Sequence, residues 1–361
     1  IQDESSMYEL LKYPYDSALW CQWYNTFKRN QNMDGIKCLR RYVIRDTLQC
    51  CALDKLHYKK KKTFANNDDD EENGGKHDGE VSKRKESVQK MKLFSSIDEL
   101  TQCVKKTKMY FDGTQLRWQN PSQNQNQNHT QSDVSVVNED CLVAAIRLKN
   151  EGFNPVVLNN ASMRRPGGGY MNGAGAQEEN LFRRSTYSLS LVDGDRLDNE
   201  RDWHYPIPEF GAIYSPHVMV FRDSEDNGYG YLDEPVEMSF IAVAAYVRPQ
   251  LTMHDKKRKT YHLAHKFAAK TKEKIRTILR VALLNGHDSV VLGAFGCGAF
   301  ANPPEHLSIL FDQVLFEEPE FMGAFKHVCF AIIEDVNSRG KAHNPYGNFA
   351  PFQQAFQQRT T

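Results

Sequence analysis

The stretch that decides the fold is PVVLNNASMRRPGGGYMNGAGAQEENLFRRSTYSLSL, residues 155–191. Its apolar beginning, Pro155–Leu158, is typical of a short buried strand. A loop with three successive glycines follows, and the next stretch predicts a polar helix from Gln177 to Leu189. A strand, a loop and a helix in this order form the unit from which α/β folds are built.

The flanking sequence repeats this alternation. Val134–Val137 predicts a strand, and Asp140 stands at the N-cap position of the helix that follows. Ser289–Leu292 predicts a buried strand, followed by a second glycine-rich loop and by a helix with Asn302 as its N-cap and Pro303 in its first turn. Further strands are predicted at 212–214, 218–221, 239–246 and 327–333. The whole pattern predicts an α/β fold in which helices cover a sheet.

The two glycine-rich loops, residues 165–170 and 293–300, each follow a predicted strand and precede a predicted helix. Glycine allows backbone N–H groups to approach a ligand closely, and a helix N-terminus adds partial positive charge, so both loops suit phosphate. Glycines also make ordinary turns, and one such loop alone is a weak indication. Residues 296–301 fit the dinucleotide pattern G-x-G-x-x-[G/A], which needs an acidic residue about 20 positions on and further βαβ units. The next predicted strand ends much further away, near Glu334-Asp335, and too little chain remains for those units, which disfavours a dinucleotide-dependent oxidoreductase.

Two adjacent carboxylates follow the first glycine loop, in the run Gln177-Glu178-Glu179. Adjacent side chains point in different directions, so one can bind a hydroxyl group while the other moves a proton. Cleavage of a sugar bond requires a carboxyl group of this kind near the leaving oxygen. Acidic residues are also common in the first turn of any helix, and the spacing alone favours that structural explanation.

Residues 157–191 resemble the signature of the microbial-type poly(ADP-ribose) glycohydrolases, in which GGG is followed by QEE after a short spacer. The resemblance continues in AIYSPHVMVFR at Ala212–Arg222 and in GAFGCGAFANPP at Gly293–Pro304, which resembles the phosphate loop of macrodomains. It spans about residues 134–334, and a weaker resemblance covers LRRYVIRDTLQCCAL at Leu39–Leu53. Asn160 departs from the family pattern, because an aromatic residue usually stands at that position.

The resemblance implies a macrodomain-like α/β fold, a mixed sheet flanked by helices, with an N-terminal helical region. It implies hydrolysis of the ribose–ribose O-glycosidic bond of poly(ADP-ribose), with Glu179 donating a proton to the departing ribose hydroxyl and then activating water. Glu178 would hydrogen-bond the substrate ribose. The other implied contacts are Gly167, Gly168 and Gly169 in the catalytic turn, Asn159 and Gln177 as ribose or loop-orienting contacts, and Gly296, Gly298, Ala299 and Phe300 in the diphosphate loop. No cofactor and no metal are implied.

Composition limits the remaining classes of function. Lys plus Arg and Asp plus Glu each total 46 among 361 residues, which argues against binding to nucleic acid by bulk positive charge. The longest apolar run without a charge, near Phe240–Val247, is too short for a membrane helix. Eight cysteines without a C-x-x-C motif favour a reduced intracellular compartment, cytoplasmic or nuclear. The expected partners are poly(ADP-ribose) or ADP-ribosylated proteins, with no membrane and no sequence-specific nucleic acid.

Changes in amino-acid composition along the sequence predict five segments. Residues 59–90 contain almost no apolar side chain and predict a disordered charged insertion, because such a segment cannot bury enough surface to offset its ordering entropy. The predicted segments are 1–58 as an N-terminal helical region, 59–90 as the insertion, 91–133 as a helical piece with a Gln/Asn-rich linker, 134–340 as the macrodomain-like glycohydrolase core and 341–361 as a C-terminal tail.

Two alternatives remain at this point. A non-catalytic ADP-ribose-binding module would share the fold, but binding alone does not require a proton-transfer carboxylate, so the pair Glu178-Glu179 favours the enzyme. A metal site is the second alternative, since His262 and His265 would lie one helical turn apart. Without a third ligand nearby, these two histidines predict a solvated helix face.

Overall fold

The computed structural model describes residues 15–52, 57–61, 88–94, 96–120, 132–194, 196–258, 260–334, 339–357 and 359. The helices are α1 Ser17–Arg29, α2 Met33–Cys51, α3 Ile97–Lys105, α4 Cys141–Asn150, α5 Gln177–Arg184, α6 Tyr187–Val192, α7 His265–Leu284, α8 Pro304–Glu317 and α9 Phe349–Phe356. The strands are β1 His57–Lys61, β2 Val88–Lys92, β3 Lys108–Tyr110, β4 Asp133–Val137, β5 Pro155–Asn160, β6 Ala212–Arg222, β7 Tyr231–Val243, β8 Leu251–Asp255, β9 Thr260–Leu263, β10 Ser289–Leu292 and β11 His327–Ala331. Within these ranges no helix is both long and apolar enough to cross a membrane.

Seven strands form one mixed sheet in the order β3-β6-β7-β5-β10-β11-β4. The five strands from β7 to β4 run parallel to one another, whereas β6 pairs antiparallel with both β7 and β3. Strands β5 and β10 are neighbours in register, with Val156 opposite Val290. The glycine-rich loops that follow these two strands therefore leave the same edge of the sheet side by side.

Both faces of the sheet are covered, which explains why its central strands are mainly apolar. Val156 and Leu158 of β5 pack on one side with residues of α7, α8 and α9. Val157, which points to the opposite side, packs with residues of α4, α5 and α6. The predicted α/β architecture, a mixed sheet flanked by helices, is thereby confirmed. The predicted N-cap of α4 is also confirmed, because the Asp140 carboxylate accepts the N–H groups of Leu142 and Val143.

Several predicted boundaries are wrong. The helix predicted over Gln177–Leu189 is two helices, because Ser185 is extended and forms a bridge with Val220 of β6. The N-cap of α8 is Pro303, because the side-chain amide of Asn302 turns back and donates to the carbonyls of Tyr246 and Gly296.

The predicted domain limits stay a prediction, but the structure adds detail to them. The ends of the predicted insertion pair as the antiparallel strands β1 and β2, and residues 62–87 lie outside the described residues. Segment 91–133 supplies the edge strand β3 as well as a helix. In the predicted C-terminal tail, α9 buries Phe352 and Phe356 in the core.

The N-terminal helices are joined to the sheet by a buried arginine. Arg222, at the end of β6, is 0% exposed, and its guanidinium contacts the carboxylate of Asp46 on α2. It also donates to the Thr47 hydroxyl at 2.9 Å, the Tyr229 carbonyl at 3.0 Å and the Tyr231 hydroxyl at 3.0 Å. A buried guanidinium is tolerated only when its donors and its charge are matched in this way.

Replacing Asp46 with Ala is expected to lower the free energy of unfolding by about 3–5 kcal/mol, because it leaves the Arg222 charge buried without its counter-ion. Urea unfolding followed by circular dichroism measures the change. The matched control is Asp34→Ala on the same helix, where the carboxylate is 93% exposed and pairs only with Lys37. That variant should lose less than about 1 kcal/mol. Equal losses in the two variants would contradict the role of the buried pair.

Candidate active site

The first glycine loop contains a tight turn at residues Arg165-Pro166-Gly167-Gly168. The N–H group of Gly168 donates to the Arg165 carbonyl at 3.1 Å, and Gly167 has a φ of +73°. Proline at the second position of a turn and glycine with positive φ at the third are the features of a type II turn. At Gly168, where φ is +55°, a Cβ atom would lie 2.5 Å from Oε1 of Glu179. The turn therefore requires glycine so that the backbone can reach the carboxylates.

Glu178 is buried beneath this turn, with 4% of its surface exposed. One carboxylate oxygen, Oε2, accepts the N–H group of Ser162 at 2.7 Å. The other, Oε1, accepts the N–H group of Gly167 at 3.1 Å and lies 3.5 Å from the side-chain amide of Asn159. The carboxyl group therefore holds the beginning of the loop and the turn together.

Glu179 contacts the same turn from the next position of α5. Its Oε1 accepts the N–H group of Gly169 at 2.8 Å. Its Oε2 is buried and has no hydrogen-bond partner among the described residues. Buried carboxylate oxygens are normally paired, so an unpaired one beside a glycine turn is an oxygen available to a ligand.

The environment of the Glu178 carboxyl group favours a bound proton. Burial, the largest cause, raises the pKa of Glu178 from 4.5 to about 8, and the neighbouring charge of Glu179 acts in the same direction. The N–H groups of Ser162 and Gly167 and the Asn159 amide oppose the shift. With its pKa raised to about 8, the Glu178 carboxyl group favours its protonated form at neutral pH. A proton held in this way is what acid catalysis needs.

Gln177 and the end of β5 fix the position of the helix that carries the carboxylates. The Gln177 side chain donates to the Leu158 carbonyl at 2.6 Å and accepts the Asn160 N–H group at 2.8 Å. These bonds correspond to the loop-orienting alternative for Gln177. Asn159 is fully buried, and its Oδ1 has no partner among the described residues. Asn160, at the position where the family usually has an aromatic residue, lies between the loops: a Cβ on Gly293 would be 3.4 Å from its Nδ2.

The second glycine loop presents free donors beside the first. In the part of the chain that the structure describes, no acceptor pairs with the N–H groups of Gly298, Ala299 or Phe300. Gly298 and Ala299 are exposed, and a Cβ on Gly298 would have no atom within 4 Å. Gly296 differs, because its φ is +72° and a Cβ would lie 2.5 Å from Ala245. Consecutive unpaired N–H groups in a loop that leads into a helix form a concave site for an anion.

Sequence reasoning missed the residues that support the spacer between GGG and QEE. A Cβ on Gly173 would lie 2.2 Å from the Lys37 carbonyl of α2, so the spacer packs directly on that helix. Arg183, one turn after Glu179, is 0% exposed and donates to the Ala174 carbonyl at 2.7 Å and to the Tyr229 hydroxyl at 2.9 Å.

An ion pair extends this support to the loop between β6 and β7. Arg40 of α2 makes two hydrogen bonds to Glu225, at 2.7 and 2.8 Å. The Glu225 carboxylate also accepts the Tyr229 hydroxyl at 3.0 Å. No sequence spacing links these partners, because 185 positions separate Arg40 from Glu225; the weak family resemblance at Leu39–Leu53 was the available signal.

The other predicted candidates lie elsewhere. His262 belongs to β9 and not to a helix, so the prediction that it lies one helical turn from His265 is wrong. Its ring stacks between those of His254 and His306, with centroids 3.7 and 4.1 Å away. Among the described residues, no group of three or more His, Cys, Asp or Glu side chains is placed to hold a metal ion.

Comparison with known proteins shows which enzymes the chain resembles. Residues 78–223 match the sequence family described as "Microbial-type PARG, catalytic domain". No curated protein sequence matches the chain. The poly(ADP-ribose) glycohydrolase (PARG) of Thermomonospora curvata is similar in structure, with 26% identity, a TM-score of 0.62, and coverage of 88% of this chain and 99% of that chain.

Two further structures are similar. The same T. curvata enzyme bound to the inhibitor ADP-HPD gives 27% identity and a TM-score of 0.59, covering 89% of this chain and 98% of that chain. A mutant PARG from Deinococcus radiodurans in complex with ADP-ribose gives 26% identity and a TM-score of 0.54, covering 72% of this chain and 98% of that chain. These matches confirm the macrodomain-like fold. Residues 78–223 therefore match the catalytic domain of the microbial-type poly(ADP-ribose) glycohydrolases, and the similar solved structures are enzymes of that kind.

Proposed function

We propose that Glu179 is the general acid and base with which this poly(ADP-ribose) glycohydrolase cleaves ribose–ribose O-glycosidic bonds and releases ADP-ribose. The observation that carries the proposal is the unpaired, buried Oε2 of Glu179 beneath the glycine turn. The free N–H groups of the second loop, on the neighbouring strand, supply a place for the diphosphate of the same ADP-ribose unit. The two loops together match the distal ribose and the diphosphate of one ADP-ribose unit.

In the reaction, Glu179 first donates a proton to the leaving oxygen and then takes a proton from the attacking water. Glu179 donates its proton to the oxygen that joins the two riboses as the bond from that oxygen to the anomeric carbon breaks. The ionised carboxylate then takes a proton from water, whose oxygen attacks the anomeric carbon. ADP-ribose is released, the shortened polymer keeps the ribose hydroxyl, and Glu179 is again protonated.

Glu178 supports this step in two ways. Its carboxyl group already accepts N–H groups from Ser162 and Gly167, which keeps the turn over the reacting bond. A carboxyl group has about four acceptor positions, so one remains for the ribose hydroxyl that the resemblance assigns to it.

The proposed reaction indicates which proteins bear the substrate, and the cysteines indicate the compartment of the cell. ADP-ribosylated proteins carry the polymer that this enzyme would shorten. All eight cysteines are free, and seven of them are buried. Free thiols in this number favour a reducing compartment, so we place the protein inside the cell, in the cytoplasm or the nucleus.

Glu179→Gln is expected to lower kcat by roughly 10²–10⁴-fold, because the amide cannot donate the proton to the leaving oxygen. The affinity for ADP-ribose should stay nearly unchanged, since the amide oxygen can still accept the Gly169 N–H group. Release of ADP-ribose from purified polymer and calorimetric titration with ADP-ribose measure the two quantities. A near-normal rate would contradict the mechanism, and wild-type binding without turnover would favour a non-catalytic module.

Glu178 should make the stability of the protein depend on pH. Its pKa is about 4.5 in the unfolded chain and about 8 in the folded one, so its full stabilising contribution is present below pH 4.5. As the pH rises towards 8, the unfolded chain releases the proton first, and the free energy of unfolding falls by about 2–4 kcal/mol. Urea unfolding at several pH values tests this. Glu178→Gln should remove most of the fall, and an identical slope in that variant would refute the assignment.

Gly298→Val is expected to weaken the binding of ADP-ribose by more than about tenfold while leaving the melting temperature nearly unchanged. A side chain at this position meets no protein atom within 4 Å, so only a ligand can oppose it. Gly296→Ala is the comparison, since its φ of +72° and its contact with Ala245 should lower the melting temperature as well. Unchanged affinity in folded Gly298→Val would remove this loop from the site.

A further inference from the structure

Two arginines stand immediately before the catalytic turn. Arg164 and Arg165 are both exposed. Among the residues that the structure describes, neither guanidinium has a hydrogen bond, an ion pair or a stacking contact. Most other arginines near the site are engaged, for example Arg183 with Ala174 and Tyr229. Two adjacent cations therefore remain available at the rim of the active site.

The backbone of these arginines is part of the turn that binds the carboxylates. The Arg165 carbonyl accepts the Gly168 N–H group, and its own N–H group donates to the Ser162 hydroxyl at 3.3 Å. The Ser162 N–H group in turn binds Glu178. The first and fourth residues of such a turn lie within about 7 Å of each other. Arg165 is thus about one arginine side-chain length from the carboxylates.

The substrate determines what lies at this rim. The released ADP-ribose unit has its diphosphate at the second glycine loop and its distal ribose at the first. The bond to be broken is therefore at the first loop, and the rest of the polymer begins there. The next diphosphate along the polymer is only one ribose away from the breaking bond, so it must pass close to the catalytic turn.

We propose that Arg164 and Arg165 form a subsite for the diphosphate of the repeat that stays on the polymer. The inference rests on the proposed function, because it assumes cleavage at Glu179. Guanidinium groups bind phosphate oxygens through charge-assisted, often bidentate hydrogen bonds. The subsite selects a leaving group that carries a diphosphate, which distinguishes a polymer from ADP-ribose attached to an uncharged group.

The test compares two substrates that share the bond to be broken, of which only one carries this diphosphate and the ribose beyond it. One is the dimer of ADP-ribose, and the other is ADP-ribose joined through its distal ribose to adenosine. The double variant Arg164→Ala/Arg165→Ala should lower kcat/KM for the dimer roughly tenfold, with no comparable loss on the adenosine conjugate. The dependence of kcat/KM on salt concentration should also become shallower for the dimer.

Two controls isolate the guanidinium groups. Lys105→Ala/Lys106→Ala removes two exposed charges from the end of α3 and should leave both substrates unaffected. Arg164→Lys/Arg165→Lys keeps the charges and should restore part of the activity on the dimer.

Any other outcome would contradict the proposal that these arginines form a diphosphate subsite. Equal losses of the Ala variant on the two substrates would mean that the arginines only shape the turn, and no loss on either would mean that the diphosphate passes elsewhere. A loss seen only with protein-attached ADP-ribose would assign them to the carrier protein. Failure of the proposed function is a separate result, because the wild-type protein would then cleave neither substrate.

Discussion

The candidate active site depends on the burial of two adjacent carboxyl groups against the backbone of one Pro-Gly turn. Glu178 and Glu179 are 4% and 7% exposed, and isolated carboxylates at such burial would be strongly destabilising. The N–H groups of Ser162, Gly167 and Gly169 offset that penalty. They can do so only where no Cβ intervenes. The glycines, the buried carboxyl groups and the raised pKa of Glu178 are therefore consequences of a single arrangement.

This arrangement also needs a rigid support from outside the sheet. The spacer that joins the turn to α5 packs on the backbone of α2, and Gly175 has no room for a side chain because of Arg40. Arg40, Glu225, Tyr229 and Arg183 then form a continuous chain of hydrogen bonds from α2 to the catalytic helix. Fully paired buried networks of this kind specify one geometry, since each partner left unpaired is costly. The N-terminal helices are thus part of the site.

The sequence predicted the parts of the structure that arise from local patterns. Apolar runs located β5 and β10, and the glycine-rich loops located the edge of the sheet where both end. Local patterns could not predict that α5 stops at Arg184, because a bridge from Ser185 to a distant strand overrides helix propensity. His262 was misplaced for a similar reason, since pairing with β8 makes its segment a strand. Local sequence patterns do not show the contacts between residues that are far apart in the chain.

The glycines of the two loops show how folding and binding requirements can be separated. Gly168 and Gly296 have positive φ and no room for a Cβ, so the folded chain itself demands them. Nothing in the protein demands Gly298, which lies in open space beside three unpaired N–H groups. Unpaired donors are tolerated at a surface because water satisfies them until an anion takes its place. A glycine that the described residues do not require, next to N–H groups that have no partner among them, supports the diphosphate contact that we propose for this loop.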